Sequence, residues 1–194
     1  MTQAGREPPE VGRAFVAVRP PDGVLDAVVA AVERARRIRV GLRWDQRDKY
    51  HFTLQFLGPV RRLGDVVDGL GAATAGRTAF PFRLGGAGAF PKPGRARVVW
   101  IGAATGGDEM VALAGAVGAG LRPAGYEPDR KAFQPHLTVA RLKVPGFVGD
   151  VLDAIGPDPV GETFTVGEVL LYASRLSREG STYTVLERFP LSPG

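Results

Sequence analysis

The chain has 194 residues, 44% of them hydrophobic, with 25 Lys and Arg against 20 Asp and Glu, which gives a net charge of +5 and a pI near 10. That is enough chain for one globular unit, or two closely packed lobes, around a real core. There is no cysteine and there are two histidines, which excludes disulfides, thiol nucleophiles, thiolate metal sites and a His-rich metal centre.

No apolar run approaches the roughly 20 residues of a membrane-spanning helix, because Asp26 and Glu33 interrupt the best candidate. Met1 to Glu10 is polar and contains proline, without the basic-then-apolar order of a signal peptide, so residues 1–11 are expected to form a frayed tail of a cytoplasmic protein. The basic excess suits a polyanion such as RNA, although in a chain rich in Arg, Ala and Gly charge speaks to association more than to identity.

Arg13 to Arg19 is a short apolar run stopped by Pro20 and Pro21, which predicts a buried strand. Asp22 is placed to cap a helix with Val24, Leu25, Val28, Val29 and Val32 at helical spacing. Its last turn carries Arg34, Arg36 and Arg37, cations that suit the negative end of the helix dipole and are expected on a solvated surface, or facing RNA. Tyr50 to Leu57 is aromatic and β-branched and ends at Gly58 and Pro59, a strand. Arg62 to Ala75 is predicted helical on the face of Val66, Val67 and Leu70, weakened by Gly69 and Gly71.

Phe80 to Leu84 begins another strand, and Gly85 to Gly94 follows as a glycine-rich stretch. It lacks a Gly-Lys-Ser/Thr ending, and Pro91 and Pro93 exclude a phosphate-binding loop that opens a helix, so a hairpin connection is expected. Arg97 to Gly102 is a strand and Asp108 to Leu121 a helix opened by Gly106 and Gly107. Phe133 to Leu142 is a strand, Asp150 to Ile155 a short helix, and Phe164 to Ala173 and Thr182 to Phe189 are strands joined by a hairpin at Arg178, Glu179 and Gly180.

Strand, helix, strand, helix, strand thus occurs twice, over residues 13–90 and 97–174 of a single unit spanning 12–194. His51-Phe-Thr-Leu recurs as His136-Leu-Thr-Val, 85 residues later (136 − 51), and Asp65/Asp68 recur as Asp150/Asp153 at the same offset. Phe15 and Val99, and Phe80 and Phe164, differ by 84. A repeat of this length is two copies of a whole α/β unit, and an approximate two-fold would bring the two histidines together across one cleft.

Residues i and i+2 of a strand share a face, so His51 with Thr53, and His136 with Thr138, point into the cleft while Phe52, Leu54, Leu137 and Val139 enter the core. Imidazoles titrate near neutrality, so one can serve as general base and the other as general acid. The threonine hydroxyls suit the non-bridging oxygens of a phosphate. Two imidazoles with no carboxylate near either motif do not make a metal site, and the aspartate pairs fit exposed helix faces.

The paired motifs resemble those of the 2H phosphoesterase superfamily. The flanks look like its RNA 2′,3′-cyclic phosphodiesterase (2′-5′ RNA ligase-like) branch, through Arg13 to Val18, Tyr50 to Gly58, Arg97 to Gly102, Phe133 to Arg141, Leu170 to Ser174 and Tyr183 to Leu186. The resemblance implies a bilobal α/β (α+β) fold, with two pseudo-two-fold-related lobes, mainly antiparallel sheets lining a central cleft, and helices outside. It implies a monomer without metal or cofactor that hydrolyses a terminal 2′,3′-cyclic phosphate of RNA, or of a nucleotide, to a 2′-phosphomonoester. By carry-over His51 is the proton donor and His136 the proton acceptor, Thr53 and Thr138 hold the phosphate, and Arg141 adds charge stabilisation. The counterpart of Arg141 in the first half is Phe56, and Gln134 stands where the branch often has a further histidine. Three other readings are a 2′-5′ phosphodiesterase or ligase, a phosphodiesterase for small cyclic nucleotides, and a non-catalytic RNA-binding module. Binding alone would be served better by Arg or Lys.

Overall fold

A computed structural model describes residues 10–39, 41–129, 131–177 and 180–194. The elements run β1 (Val11–Val18), α1 (Asp22–Ile38), β2 (Arg43–Trp44), a 3₁₀ turn (Arg47–Lys49), β3 (Phe52–Val60), α2 (Leu63–Thr74), β4 (Phe80–Phe90), a 3₁₀ turn (Pro93–Arg95), β5 (Ala96–Thr105), α3 (Gly107–Leu121), β6 (Leu137–Gly146), α4 (Gly149–Ile155), β7 (Pro159–Val166), β8 (Glu168–Ser177) and β9 (Gly180–Pro190). Residues 1–9 of the expected tail, and Arg178 and Glu179 of the expected hairpin, lie outside the described residues. Val11 already belongs to β1, and the Glu10 carboxylate accepts a bond from the Leu63 amide at 3.0 Å.

The strands form one sheet in the order β7-β4-β5-β6-β3-β1-β8-β9, with β2 added to β6 and every strand pair antiparallel. At its centre β3 and β6 meet through one residue pair, Phe52 opposite Leu137. Outward from that pair the halves read β3-β1-β8-β9 and β6-β5-β4-β7, so a pseudo-two-fold passes between Phe52 and Leu137. The helices obey it too: α1 packs on α4 and α2 on α3.

The continuous apolar run of β1 reflects burial on both faces. Ala14, Val16 and Val18 join the main core with Leu25, Val28, Phe52, Leu137 and Met110, whereas Phe15 and Ala17 pack on the other face with Leu170 and Tyr172. Each large side chain buried in this way contributes about 1.5–3 kcal/mol.

Several local expectations change. The hairpin connection is confined to the end of the glycine-rich stretch, where Pro91 to Arg95 joins β4 to its antiparallel partner β5; Gly85 to Phe90 belongs to β4 itself, and Gly88 lies opposite Trp100, where a Cβ would overlap the indole. The expected strand from Phe164 to Ala173 is two strands divided at Gly167, the first paired with β4 and the second with β1. Asp22 is the first residue of α1 rather than its cap, and its carboxylate pairs with Arg19 at 2.9 Å and Arg47 at 3.3 Å. Of the α1 arginines, Arg34 and Arg37 are solvent-exposed as expected, though Arg34 also donates to the Ala154 carbonyl on α4; Arg36 is partly buried and donates to the Asp45 carbonyl at 3.0 Å. Gly69 is explained by the crossing of α2 and α3, where a Cβ would lie 2.5 Å from the Gly120 carbonyl oxygen. Phe15 stands opposite Phe56 while Val98 stands opposite Arg141, so Val98, not Val99, is the equivalent of Phe15. Phe164 is no repeat of Phe80, since it pairs with Phe82 on the adjacent strand. The short β2 gave no periodic signal, being two residues long.

Candidate active site

Phe52 and Leu137 are both fully buried on the core face of the sheet. One residue to either side, the alternation turns His51, Thr53, His136 and Thr138 to the opposite face. Antiparallel register then sets His51 opposite Thr138, and Thr53 opposite His136. The two motifs thus lie side by side about the pseudo-two-fold, and all four side chains line one cleft of about 920 Å³.

The histidines are held alike. His51 Nδ1 lies 2.7 Å from the Lys49 carbonyl, and His136 Nδ1 lies 2.8 Å from the Gln134 carbonyl, in each case two residues upstream. A carbonyl only accepts, so each Nδ1 carries hydrogen and each Nε2 is left with its lone pair for the cleft. Aromatic rings fix the imidazole planes: Phe15 and Tyr183 at centroid distances of 4.8 and 5.5 Å for His51, Phe90 and Trp100 at 4.9 and 6.4 Å for His136. Burial pushes the His51 imidazole down to about 4, opposed by its bond to Lys49 and assisted by the charges of Arg141 and His136. His136 is lowered for the same first reason, opposed by its bond to Gln134 and assisted by Arg141. Both shifts favour the neutral ring in the free protein.

Strict alternation would carry Phe56 and Arg141 into the core. A β-bulge in each motif strand prevents this. Val16 pairs with Gln55 and Ala17 with Thr53, so Leu54 is the extra residue of β3; Val99 pairs with Ala140 and Trp100 with Thr138, so Val139 is the extra residue of β6. The bulges are 85 residues apart (139 − 54), the spacing of the motifs themselves. Each returns the next side chain but one to the cleft, as bulges beside active sites do. Phe56 is 69% exposed there, and Arg141 lines the wall at the matching place.

The cleft thus unites His51, His136, Thr53, Thr138 and Arg141. It also holds residues that the sequence reading did not select: Arg13, Arg43 and Lys49 as cations, Phe15, Phe56 and Tyr183 as rings, and Asp45. The expectation that no carboxylate stands near the motifs fails at Asp45, whose Oδ2 is 3.6 Å from Arg141 Nε. Asp45 lies six residues before His51, but it reaches the site through β2, whose placement on β6 no local pattern announces. The aspartates at 65 and 150 are held by Arg62 and Arg39, away from the cleft. Among the described residues no group of three or more His, Asp or Glu is placed to hold a metal ion, and no helix is long and apolar enough to cross a membrane.

A family model described as the 2′-5′ RNA ligase superfamily matches residues 24–178. An RNA 2′,3′-cyclic phosphodiesterase of Thermus thermophilus is 36% identical over 189 residues, covering 92% of this chain and 90% of the relative. One of Archaeoglobus fulgidus is 34% identical over 182 residues, covering 91% and 99%. Among solved structures, TT0787 of Thermus thermophilus superposes with a TM-score of 0.75 at 33% identity, covering 92% of this chain and 97% of the other. Escherichia coli LigT complexed with 3′-AMP superposes with a TM-score of 0.73 at 27% identity, covering 94% and 99%.

Proposed function

The chain belongs to the 2′-5′ RNA ligase superfamily, and from that premise we propose that it hydrolyses the terminal 2′,3′-cyclic phosphate of RNA to a 2′-phosphomonoester by acid-base catalysis between its two histidines. The observation that carries this reading is the geometry at Phe52 and Leu137: two imidazoles, each tied down through Nδ1, share one face with two hydroxyls. The relatives named RNA 2′,3′-cyclic phosphodiesterase cover nearly the whole chain and support the same reaction.

His136 Nε2 takes a proton from water as the water oxygen bonds to phosphorus. The P–O3′ bond breaks, and His51 Nε2 delivers a proton to the departing 3′ oxygen. Thr53 and Thr138 donate to the non-bridging oxygens, and the Arg141 guanidinium balances the charge that grows there. His51 is neutral in the free protein, so it takes up its proton as the anionic phosphate enters and raises its affinity for one. The reaction needs no metal. The exposed ring of Phe56 offers a nucleobase a face to stack on.

The test is RNA ending in a 2′,3′-cyclic phosphate, incubated in EDTA with the wild type, His51→Ala and His136→Ala. Turnover by the wild type and its loss in both variants is expected. Binding without turnover would leave an RNA-binding module instead. Faster turnover of a cyclic mononucleotide or a 2′-5′ dinucleotide would move the substrate to that class.

A further inference from the structure

Asp45 is a carboxylate in a cleft otherwise suited to an anion. Its main chain is fixed three times: its amide donates to the Val139 carbonyl at 2.9 Å, and its carbonyl accepts from the Tyr50 hydroxyl at 3.2 Å and from Arg36 at 3.0 Å. Directly before it, Arg43 and Trp44 pair with Arg141 and Ala140, so β2 delivers it beside the second motif. The side chain is 14% exposed, its Oδ2 stands 3.6 Å from Arg141 Nε, and the charges of Arg43 and Lys49 also act on it. Burial raises its affinity for a proton and the three cations lower it, Arg141 foremost.

Arg141 itself is half-exposed, on a long stem leaving the bulged strand. A free arginine loses rotamer entropy when it engages a ligand. A carboxylate at its Nε edge reduces that loss and leaves both Nη groups available, the edge that suits two phosphate oxygens. We propose that Asp45 is a positioning residue for Arg141, holding the guanidinium by Nε so that its Nη groups meet the substrate phosphate. This rests on the phosphodiesterase reading given above.

The proposal predicts the opposite sign from charge alone. Removing a carboxylate from an anion site should improve binding if Asp45 acts only through its field; it should impair binding and turnover if Asp45 holds Arg141. The measurement is kcat and KM of the full chain on oligoribonucleotides ending in a 2′,3′-cyclic phosphate, one for each terminal base. The proteins are the wild type, Asp45→Asn, Asp45→Glu, Arg141→Ala and the Asp45→Asn/Arg141→Ala double variant, each checked for an unchanged thermal midpoint. Asparagine keeps the shape and the main-chain bonds. Asp45→Asn should lower kcat/KM about tenfold, equally for all four bases and mainly through KM, and Asp45→Glu should recover part of it. In the Arg141→Ala background the same change should matter less than about twofold, since neighbours acting as a unit are not additive. Equal or improved kcat/KM in Asp45→Asn, a loss that persists without Arg141, or a loss confined to one base would each overturn the proposal. Absence of turnover in the wild type would instead overturn the phosphodiesterase reading, and calorimetric binding of a nucleoside 2′-monophosphate by the same five proteins would still decide between the two signs.

Discussion

The half that carries His51 and the half that carries His136 share a backbone and differ in what they hang on it. Both motif strands make a bulge one residue after the threonine, and both histidines are held by the carbonyl two residues upstream. After the bulge, one half presents Phe56 and the other Arg141. On the proposed reading the shared features form a two-sided clamp for a tetrahedral anion, which has no preferred end. The differing ones give the cleft a direction at this pair of equivalent positions, a ring at 56 and a guanidinium at 141. Direction is what a dinucleotide-like substrate requires, because its base lies to one side of the phosphate. On the proposed reading, duplication supplies the acid-base pair, and the difference between Phe56 and Arg141 contributes polarity.

The largest expected effect tests whether the halves have distinct roles at all. His51→Ala and His136→Ala should each lose at least about two orders of magnitude in kcat, the usual worth of a general acid or base. A substrate with sulfur at the bridging 3′ position needs no proton on its leaving group. It should restore most of the rate to His51→Ala and none to His136→Ala. Equal rescue of both, or rescue of His136→Ala alone, would break the assignment of donor and acceptor.

Next comes the divergent pair. Arg141→Ala should lower kcat/KM by about 10- to 100-fold, the range for losing a charge-assisted bond to a phosphate. Phe56→Ala should raise KM for oligonucleotides by about 5- to 20-fold with kcat nearly unchanged, in the range measured for one base stacked on a ring. Inorganic phosphate as an inhibitor sharpens the contrast: its inhibition constant should worsen in Arg141→Ala and stay the same in Phe56→Ala. If both variants weaken phosphate equally, the cleft has no base side.

The two halves also explain what could be read from the sequence. The motif pair, the alternation around it and the central two-fold follow from His51, Thr53, His136 and Thr138, because a period of two and an offset of 85 are written in the chain itself. The bulges are not, since a bulge at Leu54 or Val139 is made by register with β1 or β5, distant partners. Gly85 to Phe90 misled for a related reason. Glycine in a strand lacks local preference, and the indole of Trp100 that requires Gly88 lies across the sheet. Asp45 stayed hidden because a carboxylate among charged loop residues reads as solvent-facing until β2 is placed against β6. Phe164 to Ala173 merged two strands because Gly167 between them was the sole punctuation.

The helix pairs give a smaller, structural contrast. On one side Gly69 and Gly120 bring the backbones of α2 and α3 together; on the other, position 154 of α4, 85 residues after Gly69, is alanine, and Arg34 of α1 reaches its carbonyl. Gly69→Ala should destabilise by about 1–3 kcal/mol, since the new methyl meets main chain that cannot rotate away. Ala154→Gly should cost about 1 kcal/mol, chiefly through helix propensity. Urea unfolding measures both, and kcat should be unchanged in each.

The smallest effect concerns protons, and it separates the two histidines by environment rather than by role. The free-protein imidazole of His51 is pushed down to about 4 and that of His136 is also lowered, burial being the first cause in both. Because kcat/KM reports the free enzyme, its optimum should lie below 6.5, the ordinary histidine value, and fall as pH rises further and the proton of the acid is lost. The kcat profile, which reports the bound state, should sit at higher pH, because a phosphate in the cleft favours the charged imidazoles. Arg141 lowers both histidines, so Arg141→Ala should move the descending limb of kcat/KM upward while reducing its height. Stability follows the same signs. Between about 4 and 6.5 the unfolded chain binds a proton at His51 that the folded chain does not, so stability is full above 6.5 and declines as pH falls through that window. His51→Ala should flatten part of that decline in the thermal midpoint, and His136→Ala should also reduce it, since its imidazole is lowered as well. Titration of the two imidazole Cε1 protons by NMR resolves them individually, and a His51 that titrates at or above 6.5 would remove the difference in environment between the halves.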